Sequence, residues 1–503
     1  MARKIKSRWL ITGTLVTETP LHVGGIGQDP IVDLSLAVDG QGNYYIPGTS
    51  LAGALRGWMT GTGSNTSEKS EVEQLWGFQQ ANGDGGHASF ILVEDAPIKT
   101  RFTEIRDGVG IDRISGTAAE GIKFDRAVLP RGTEIPLELT IEDPDRHLAS
   151  SELTLDVLMA LEQGEISLGG AKTRGLGRVT LKNCNVIEQD FSSFQGMVKT
   201  LRGEGDPVEL DRKGSVTSRS RMEICIHWQP TGPVMVKAET EGNAVDTLPL
   251  TSRVEGGSLT FVIPGSSLKG SLRSQAERIM RTLLQQEIPN DPDPKQRFLN
   301  QTQGLPIIRE LFGEAARIQE KEQLGYLGSL KIDDCYTQSV RLSPQQWQEV
   351  ITAEESDDLR TALNNANLTT TQQAFHVAID RWTGGAADGF LYSTLEPMGI
   401  DWDPIHLRLD LDRAGEKRLS IVVFLLLLLR DMAQGRIPIG FGANRGLGAI
   451  EMTQVDLTVK GDPKTLGILQ ELNGKKLVKG DISAIPKNVL ETLQKAWQHE
   501  VNL

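Results

Sequence analysis

The chain carries the same three motifs twice, in the same order. Residues 46–56 (Ile-Pro-Gly-Thr-Ser-Leu-Ala-Gly-Ala-Leu-Arg) return at 263–273, residues 110–113 around Ile-Asp-Arg return at 378–381, and residues 166–177, which end in Arg-Gly-Leu-Gly, return at 437–448. The copies lie more than 200 residues apart, whereas solenoid repeats have periods of roughly 20–50 residues. The repeat therefore predicts a duplicated domain, so that a functional site in one half should have a counterpart in the other.

The composition fits a folded protein of two domains and argues against several other classes. The chain has 503 residues, of which 38% are hydrophobic, and domains usually have about 100–200 residues. Its three cysteines, Cys184, Cys225 and Cys335, form no CxxC pair. That pattern argues against a disulfide framework or a cysteine-rich zinc site and favours the cytoplasm. The longest apolar run, residues 421–429, is far shorter than the roughly 20 residues of a membrane span, so we expect a buried helix and no membrane partner.

The net charge of −13 argues weakly against a nucleic-acid partner. A basic groove can nevertheless lie on an acidic body. Basic residues do cluster locally, at Arg3, Lys4, Lys6 and Arg8, and again at Arg212, Lys213, Arg219 and Arg221 before the second copy. Binding of a polyanion through local patches therefore remains open.

Both copies have the same predicted order of elements. Each opens with a strand, at 9–16 and 222–228, and the Ile-Pro-Gly turn then starts a helix with Ser or Thr as candidate N-caps. The apolar residues Leu51, Leu55 and Met59 share one helical face in the first copy, as do Leu268, Leu272 and Ala276 in the second. A further strand and a helix follow in each copy. This order predicts an α+β fold, with helices packed on one largely antiparallel sheet per copy.

Domain boundaries follow from the repeat and from local composition. We predict a first domain at 1–200, a linker at 201–218 and a second domain at 219–503. The second copy has a polar insertion near 336–375, for which we expect a surface loop or helices. It ends in a tail with a helix near 486–499.

The three motifs, present twice and in order, resemble those of the RAMP family, the backbone subunits of type III CRISPR effector complexes. The resemblance extends over nearly all of both copies, and two units in one chain are similar to the double-unit fusions of type III-D systems. It implies two tandem RRM-like (ferredoxin-like) domains, each with a β-hairpin thumb. It also implies three kinds of partner: guide RNA, target RNA and other subunits of the effector complex. The Ile-Asp-Arg segments would belong to the thumbs, with Ile111, Ile114, Ile379 and Trp382 as wedge-like residues or, alternatively, as a small hydrophobic core.

The resemblance also implies a catalytic aspartate in the loop after the first strand of each copy. Asp33 lies 13 residues after Pro20, and Asp246 lies 13 residues after Pro233. Asp29 is a rival in the first copy, but the matching residue 242 is Gly. An aspartate in a loop is often only a turn former or a helix cap, and this alternative stays open.

One aspartate per site suits RNA, because the 2′-hydroxyl of RNA is itself a nucleophile. Positioning that hydroxyl in line with the phosphorus and the leaving oxygen removes much of the barrier. A carboxylate can accept the hydroxyl proton, or it can hold a hydrated Mg²⁺ or another divalent cation near the phosphate. The second role is favoured at neutral pH, since an ordinary Asp has a pKa of about 3.9. We therefore expect a metal-dependent endoribonuclease.

Several further residues are candidate RNA contacts. Helix N-termini suit phosphate, glycine loops allow close backbone approach, and cations attract phosphate. The candidates are His22, Ser50, Arg56, Arg113, Lys172, Arg174, Ser267, Lys269, Arg273, Arg381 and Arg445. The alternatives are capping, tight structural turns and a solvated basic face.

Two other functions remain to be weighed against cleavage of target RNA. One is a non-catalytic backbone subunit that only binds guide RNA, against which the two matched aspartates argue. The other is a RAMP ribonuclease that processes precursor guide RNA and would use histidine. The second copy has Met235 where the first has His22, which speaks against a histidine site common to both copies.

Overall fold

The computed structural model describes residues 4–25, 32–61, 66–79, 85–100, 102–210, 219–315 and 325–501. The contacts divide the chain into two compact units. The first comprises Met1–Arg106, Asp125–Lys172 and Leu176–Ser218, and the second comprises Asp107–Phe124, Thr173–Gly175 and Arg219–Leu503. Within the described residues, no helix is long and apolar enough to cross a membrane.

The first half of the chain contains eleven described strands and four described helices. The strands are β1 (Ser7–Thr17), β2 (Tyr45–Ile46), β3 (Phe78–Gln79), β4 (Gly86–His87), β5 (Ile91–Val93), β6 (Ala96–Pro97), β7 (Glu104–Ile111), β8 (Ala118–Val128), β9 (Glu134–Asp143), β10 (Val179–Asp190) and β11 (Asp206–Pro207). The helices are α1 (Gly48–Thr60), α2 (Thr66–Trp76), α3 (Glu152–Glu162) and α4 (Phe194–Leu201).

The second half contains ten described strands and nine described α-helices. The strands are β12 (Arg221–Pro230), β13 (Thr251–Arg253), β14 (Leu259–Ile263), β15 (Leu330–Ile332), β16 (Cys335–Tyr336), β17 (Gln372–Ile379), β18 (Ala386–Glu396), β19 (Ile405–Asp410), β20 (Ile450–Lys460) and β21 (Lys476–Val478). The helices are α5 (Gly265–Leu283), α6 (Pro294–Gln301), α7 (Pro306–Phe312), α8 (Pro344–Thr352), α9 (Ser356–Asn365), α10 (Leu411–Ala414), α11 (Arg418–Ala433), α12 (Pro463–Leu466) and α13 (Lys487–Val501).

Each unit is built on a five-stranded antiparallel sheet. The strand order is β11-β10-β1-β9-β5 in the first unit and β15-β19-β12-β20-β21 in the second. The first strand of each copy therefore lies at the centre, between the strand that precedes the late helix and the strand that follows it. The predicted strands at 9–16 and 222–228 are confirmed as β1 and β12.

Each sheet is covered by the helices whose apolar faces the sequence indicates. Leu51, Leu55 and Met59 of α1 are all buried in the first core, and Leu268, Leu272 and Ala276 of α5 are all buried in the second. The apolar run at 421–429 forms most of α11 and contributes Ile421, Phe424 and Leu428 to the second core. Burial of one such side chain stabilises a fold by roughly 1.5–3 kcal/mol. The predicted helical faces are confirmed.

The two Ile-Asp-Arg segments form the tips of long β-hairpins. Strands β7 and β8 form the first hairpin, and β17 and β18 form the second. At the first tip, Asp112 Oδ1 accepts the backbone N–H groups of Ile114 and Ser115 at 2.9 and 2.8 Å. At the second tip, Asp380 Oδ1 accepts those of Trp382 and Thr383 at 3.0 and 2.7 Å. The aspartate of each motif thus closes the turn from which the hairpin returns.

The polar insertion of the second copy folds as two helices. Helices α8 and α9 bury Trp347, Val350, Leu359 and Leu363 in the core of the second unit. The C-terminal segment adds β21 to the edge of the second sheet. It then packs α13 on α11, where the rings of Trp497 and Phe424 stack with centroids 5.2 Å apart. Both segments are therefore parts of the second fold.

Candidate functional sites at the bases of the hairpins

Asp33 lies where its loop meets the base of the first hairpin. The backbone N–H of Asp125 in β8 donates to Asp33 Oδ2 at 3.1 Å, and the N–H of Asp33 donates to Asp125 Oδ1 at 2.6 Å. The next residue, Leu34, forms a parallel bridge with Arg126. Asp33 is exposed, so its carboxylate is anchored through one oxygen and still reaches solvent.

Asp246 occupies the same place at the base of the second hairpin. The backbone N–H of Ser393 in β18 donates to Asp246 Oδ2 at 2.7 Å, and the Ser393 hydroxyl bonds the same oxygen at 3.1 Å. The next residue, Thr247, forms a parallel bridge with Thr394. The matching bridges put Asp33 and Asp246 at equivalent positions of the two copies. Asp29 lies outside the described residues.

The two bases differ in the residue that holds the aspartate. The first has Asp125, which adds a second carboxylate, and the second has Ser393, which adds a hydroxyl. Within the part of the chain that the structure describes, no group of three or more His, Cys, Asp or Glu side chains is arranged to hold a metal ion. Mg²⁺ commonly binds one or two carboxylates together with water and substrate phosphate. The oxygen donors at each base fit such a cation.

The helices after the Ile-Pro-Gly turns are capped differently from our prediction. Ser and Thr were expected as N-caps, but the N-caps are Pro47 and Pro264, which have no side-chain bond to offer. Instead, the N–H of Gly48 donates to Asp95 Oδ1 and the N–H of Gly265 to Asp334 Oδ1, both at 2.7 Å. A carboxylate from the short connection between two later strands, β5 and β6 or β15 and β16, thus occupies the positive end of each helix dipole, the place predicted for RNA phosphate.

The glycine-rich loops pack against the segment that follows the first strand. The N–H of Gly170 donates to the carbonyl of His22 at 2.8 Å, and that of Phe441 donates to the carbonyl of Met235 at 2.7 Å. A Cβ on Gly169 would lie 2.0 Å from the His22 oxygen, and one on Gly440 would lie 2.2 Å from the Met235 oxygen. These glycines therefore permit close approach of the glycine-rich loop to another segment of the protein backbone, whereas we predicted close approach to RNA.

Four of the predicted RNA contacts have structural positions instead. Lys269 is 4% exposed and donates to the carbonyl of Leu330 at 2.8 Å. Burial, and then the charges of Arg174, Arg273 and Lys331, hold the pKa of Lys269 well below its usual range. Such a side chain has no path to an RNA backbone, so we leave Lys269 out of the proposed RNA surface.

The other three are also committed to protein partners. Arg273 donates to Glu277 and to the carbonyls of Gly313 and Thr302, and Arg113 donates to Glu277 and to the carbonyl of Ile111. His22 is 7% exposed, and its Nδ1 bonds the carbonyl of Ala127 at 2.8 Å. We leave these three out of the RNA surface for the same reason.

The remaining candidates lie at or near the surface. Arg56, Arg381 and Arg445 are exposed, while Ser50 and Ser267 are half-buried in the first turns of their helices. Arg174 keeps an exposed side chain, although partial burial and then the charge of Arg273 lower its pKa. Lys172 is half-buried, which lowers its pKa. The structure is therefore compatible with RNA contact by the exposed cations of this group.

The wedge candidates at the hairpin tips are exposed. Trp382 is 96% exposed, and Ile111, Ile114 and Ile379 are exposed as well. These side chains therefore do not form the hydrophobic core that was the alternative to a wedge.

Sequence reasoning missed the residues that hold the candidate aspartates. Asp125 lies 13 residues after Asp112 and Ser393 lies 13 residues after Asp380. This equal spacing is visible in the repeated sequence and could have drawn attention to the two positions. The two residues differ in type, however, and only the paired strands show that they meet the loops of Asp33 and Asp246.

Comparison with known proteins agrees with the duplicated architecture. The RAMP superfamily profile matches residues 14–180 and again residues 236–451, which together make up well over half of the chain. The chain belongs to the RAMP superfamily. Each RAMP region contains one candidate aspartate, one hairpin and one glycine-rich loop. The protein is also similar to the CRISPR system Cms endoribonuclease Csm3 of Methanothermobacter thermautotrophicus, with 23% identity over 232 residues, which span 38% of this chain and 91% of the relative.

Proposed function

We propose that this RAMP protein is a backbone subunit of a type III CRISPR effector complex, which binds guide RNA and cleaves paired target RNA at two sites. The observation that carries the proposal is the matched anchoring of Asp33 and Asp246, each by a backbone N–H at the base of its own hairpin. The similarity to a relative named as a CRISPR endoribonuclease supports the same reading. A purely structural subunit would have no need for two carboxylates in equivalent, solvent-reaching positions.

The topology supports RRM-like domains with thumbs. In each copy, the main sheet is formed in the order strand, helix, strand, strand, helix, strand, with the first strand at its centre. This is the βαββαβ order of ferredoxin-like folds. The hairpins with exposed Ile and Trp side chains would be the thumbs, which separate target bases from the guide and bend the target strand. We further propose that other subunits of the complex adjoin this chain along the guide.

The chemistry that we propose uses the 2′-hydroxyl of the target RNA as nucleophile. Its oxygen forms a bond to phosphorus while the bond from phosphorus to the 5′-oxygen breaks, and a proton passes to the departing oxygen. The products are a 2′,3′-cyclic phosphate and a 5′-hydroxyl. Asp33 or Asp246, held at the hairpin base, accepts the hydroxyl proton or orients the hydroxyl toward the phosphate.

Divalent cations fit the same donors. Asp33 with Asp125, or Asp246 with Ser393, would hold Mg²⁺, which when bound neutralises charge on the phosphate.

The test is a product map on end-labelled target RNA, using the complex that contains the full chain. Asp33→Ala and Asp246→Ala should each abolish one cut and spare the other, while guide RNA stays bound. Asp39→Ala is the matched control, because Asp39 is a carboxylate in the same segment after β1 and accepts the backbone N–H groups of its own turn. If Asp33→Ala removes both cuts, the sites are not independent. If it removes neither, Asp29 becomes the candidate.

A modified target in the same experiment tests the nucleophile. A single 2′-deoxy nucleotide just 5′ of one scissile phosphate should abolish that cut and leave the other. Cleavage at the deoxy position would show that water attacks instead.

A further inference from the structure

Beside the second hairpin base, a row of planar side chains holds one arginine on the surface. The rings of His376 and Tyr392 stack with centroids 5.0 Å apart and planes 19° apart. The guanidinium carbon of Arg445 lies 5.6 Å from the Tyr392 centroid and 5.3 Å from the Phe441 centroid. Arg445 Nη1 also donates to the Tyr392 hydroxyl. Both ring distances lie within the roughly 6 Å over which a cation is attracted to an aromatic ring.

The row is joined to the candidate aspartate through one strand. Tyr392 directly precedes Ser393, whose N–H and hydroxyl hold Asp246. Neighbouring side chains of a strand point to opposite faces, so Arg445 and Asp246 flank the hairpin strand at the same level. The arginine and the aspartate thus contact two adjacent residues of β18, Tyr392 and Ser393.

The first copy does not repeat the row. Matching the tip aspartates Asp112 and Asp380 aligns Phe124 with Tyr392 and Gly108 with His376. The Phe124 ring lies against Gly108, where a Cβ would be 2.2 Å from the ring carbon Cζ. Phenylalanine has no hydroxyl to accept a bond from an arginine. In the glycine-rich loop, Gly170 takes the position of Phe441.

We propose that Arg445 binds a target RNA phosphate beside the cut made by Asp246, and that Tyr392 is a positioning residue that fixes the guanidinium for this contact. The inference rests on the proposed function of Asp246. One of the five guanidinium N–H donors bonds Tyr392, and the planar fork suits a phosphate. Holding the long side chain against rings reduces the rotamer entropy that it loses when RNA binds.

A double-mutant cycle on the second cut tests this inference. Single-turnover rates are measured with saturating complex, and the first cut in the same chain is the internal reference. Arg445→Ala should slow the second cut about 10- to 100-fold, as for loss of a hydrogen bond to a charged group. Tyr392→Phe should slow it about 2- to 10-fold, and Tyr392→Ala should slow it further. In the Arg445→Ala background, Tyr392→Ala should have no added effect, because a positioning residue acts only through its partner.

Parallel variants separate the failure of this inference from the failure of the proposed function. Retention of guide RNA and the rate of the first cut show that each variant has folded. If Asp246→Ala abolishes the second cut but Arg445→Ala leaves its rate unchanged, the role of Arg445 is wrong and the proposed function stands. If the rate reductions caused by Tyr392→Ala and Arg445→Ala simply multiply in the double variant, Tyr392 has only a structural role. If Asp246→Ala leaves the second cut intact, both proposals fail at this site.

Discussion

His22 is a residue whose protonation the fold opposes. Burial lowers the pKa of His22 from its ordinary value of 6.5, the hydrogen bond to Ala127 partly offsets this, and the charge of Arg126 lowers the pKa further. Below pH 6.5 the unfolded chain therefore binds a proton that the folded chain does not yet bind. As the pH is lowered from about 6.5, the free energy of unfolding should therefore decrease, and the decrease should end once the pH is below the lowered pKa of His22 in the folded chain. His22→Met, which copies Met235 of the second unit, should remove this component of acid sensitivity.

Hydrogen exchange of the first sheet at pH 7.5 and pH 5.5 measures the effect. Replacement of the exposed His147 by Met is the control and should keep the wild-type acid response. An unchanged acid response in His22→Met would show that other groups account for it.

At the scale of elements, the two hairpin tips share one turn but differ in their surroundings. Asp112 is 3% exposed. In addition to the bonds within its turn, its carboxylate accepts hydrogen bonds from Arg297 Nε at 2.9 Å and from Gln301 Nε2 at 3.3 Å. Asp380 accepts bonds from Trp382 and Thr383 within its own turn. Breaking a buried ion pair costs about 3–5 kcal/mol, whereas a hydrogen bond in a turn is worth about 0.5–1.5 kcal/mol. Asp112→Ala should therefore destabilise its hairpin by about 3 kcal/mol, and Asp380→Ala should have a clearly smaller effect.

Hydrogen exchange, measured by mass spectrometry on peptides from the two hairpins, gives the loss of local stability in each variant. Amide exchange through local opening depends on the free energy of that opening. Each variant serves as the matched control of the other. Equal effects at the two tips would show that Arg297 and Gln301 contribute nothing to the first.

The protein as a whole is acidic, yet we propose that it binds RNA, which is a polyanion. The net charge is −13, so the attraction must come from local cations such as Arg56, Arg381 and Arg445. Contacts to the RNA backbone carry no base information. Affinity of the complex for unrelated RNAs of equal length should therefore be similar and should fall linearly on a plot of log affinity against log salt. Replacing one exposed arginine should reduce the slope by roughly 0.7–1. A strong preference for one sequence, or a flat salt dependence, would contradict backbone binding.

The duplication, the order of strands and helices, the buried helical faces and the matching positions of Asp33 and Asp246 could all be predicted from the amino-acid sequence. All of these depend on spacing along the chain, because helical and strand periods decide which side chains share a face, and a duplicated spacing is visible without coordinates. The Ile-Asp-Arg segments were assigned to thumbs through the family resemblance, and both do form hairpin tips.

The partners of the polar side chains, in contrast, become known only from the folded structure. Asp95 and Asp334 cap helices that begin 47 and 69 residues earlier in the chain. Lys269 belongs to the motif at 263–273, for which we predict RNA contact, but its side chain is buried. Tyr392 reaches Arg445 from a strand 53 residues away, which no periodicity could indicate. Hydrogen bonding and burial depend on distance in space, and folding brings together residues that the sequence keeps apart.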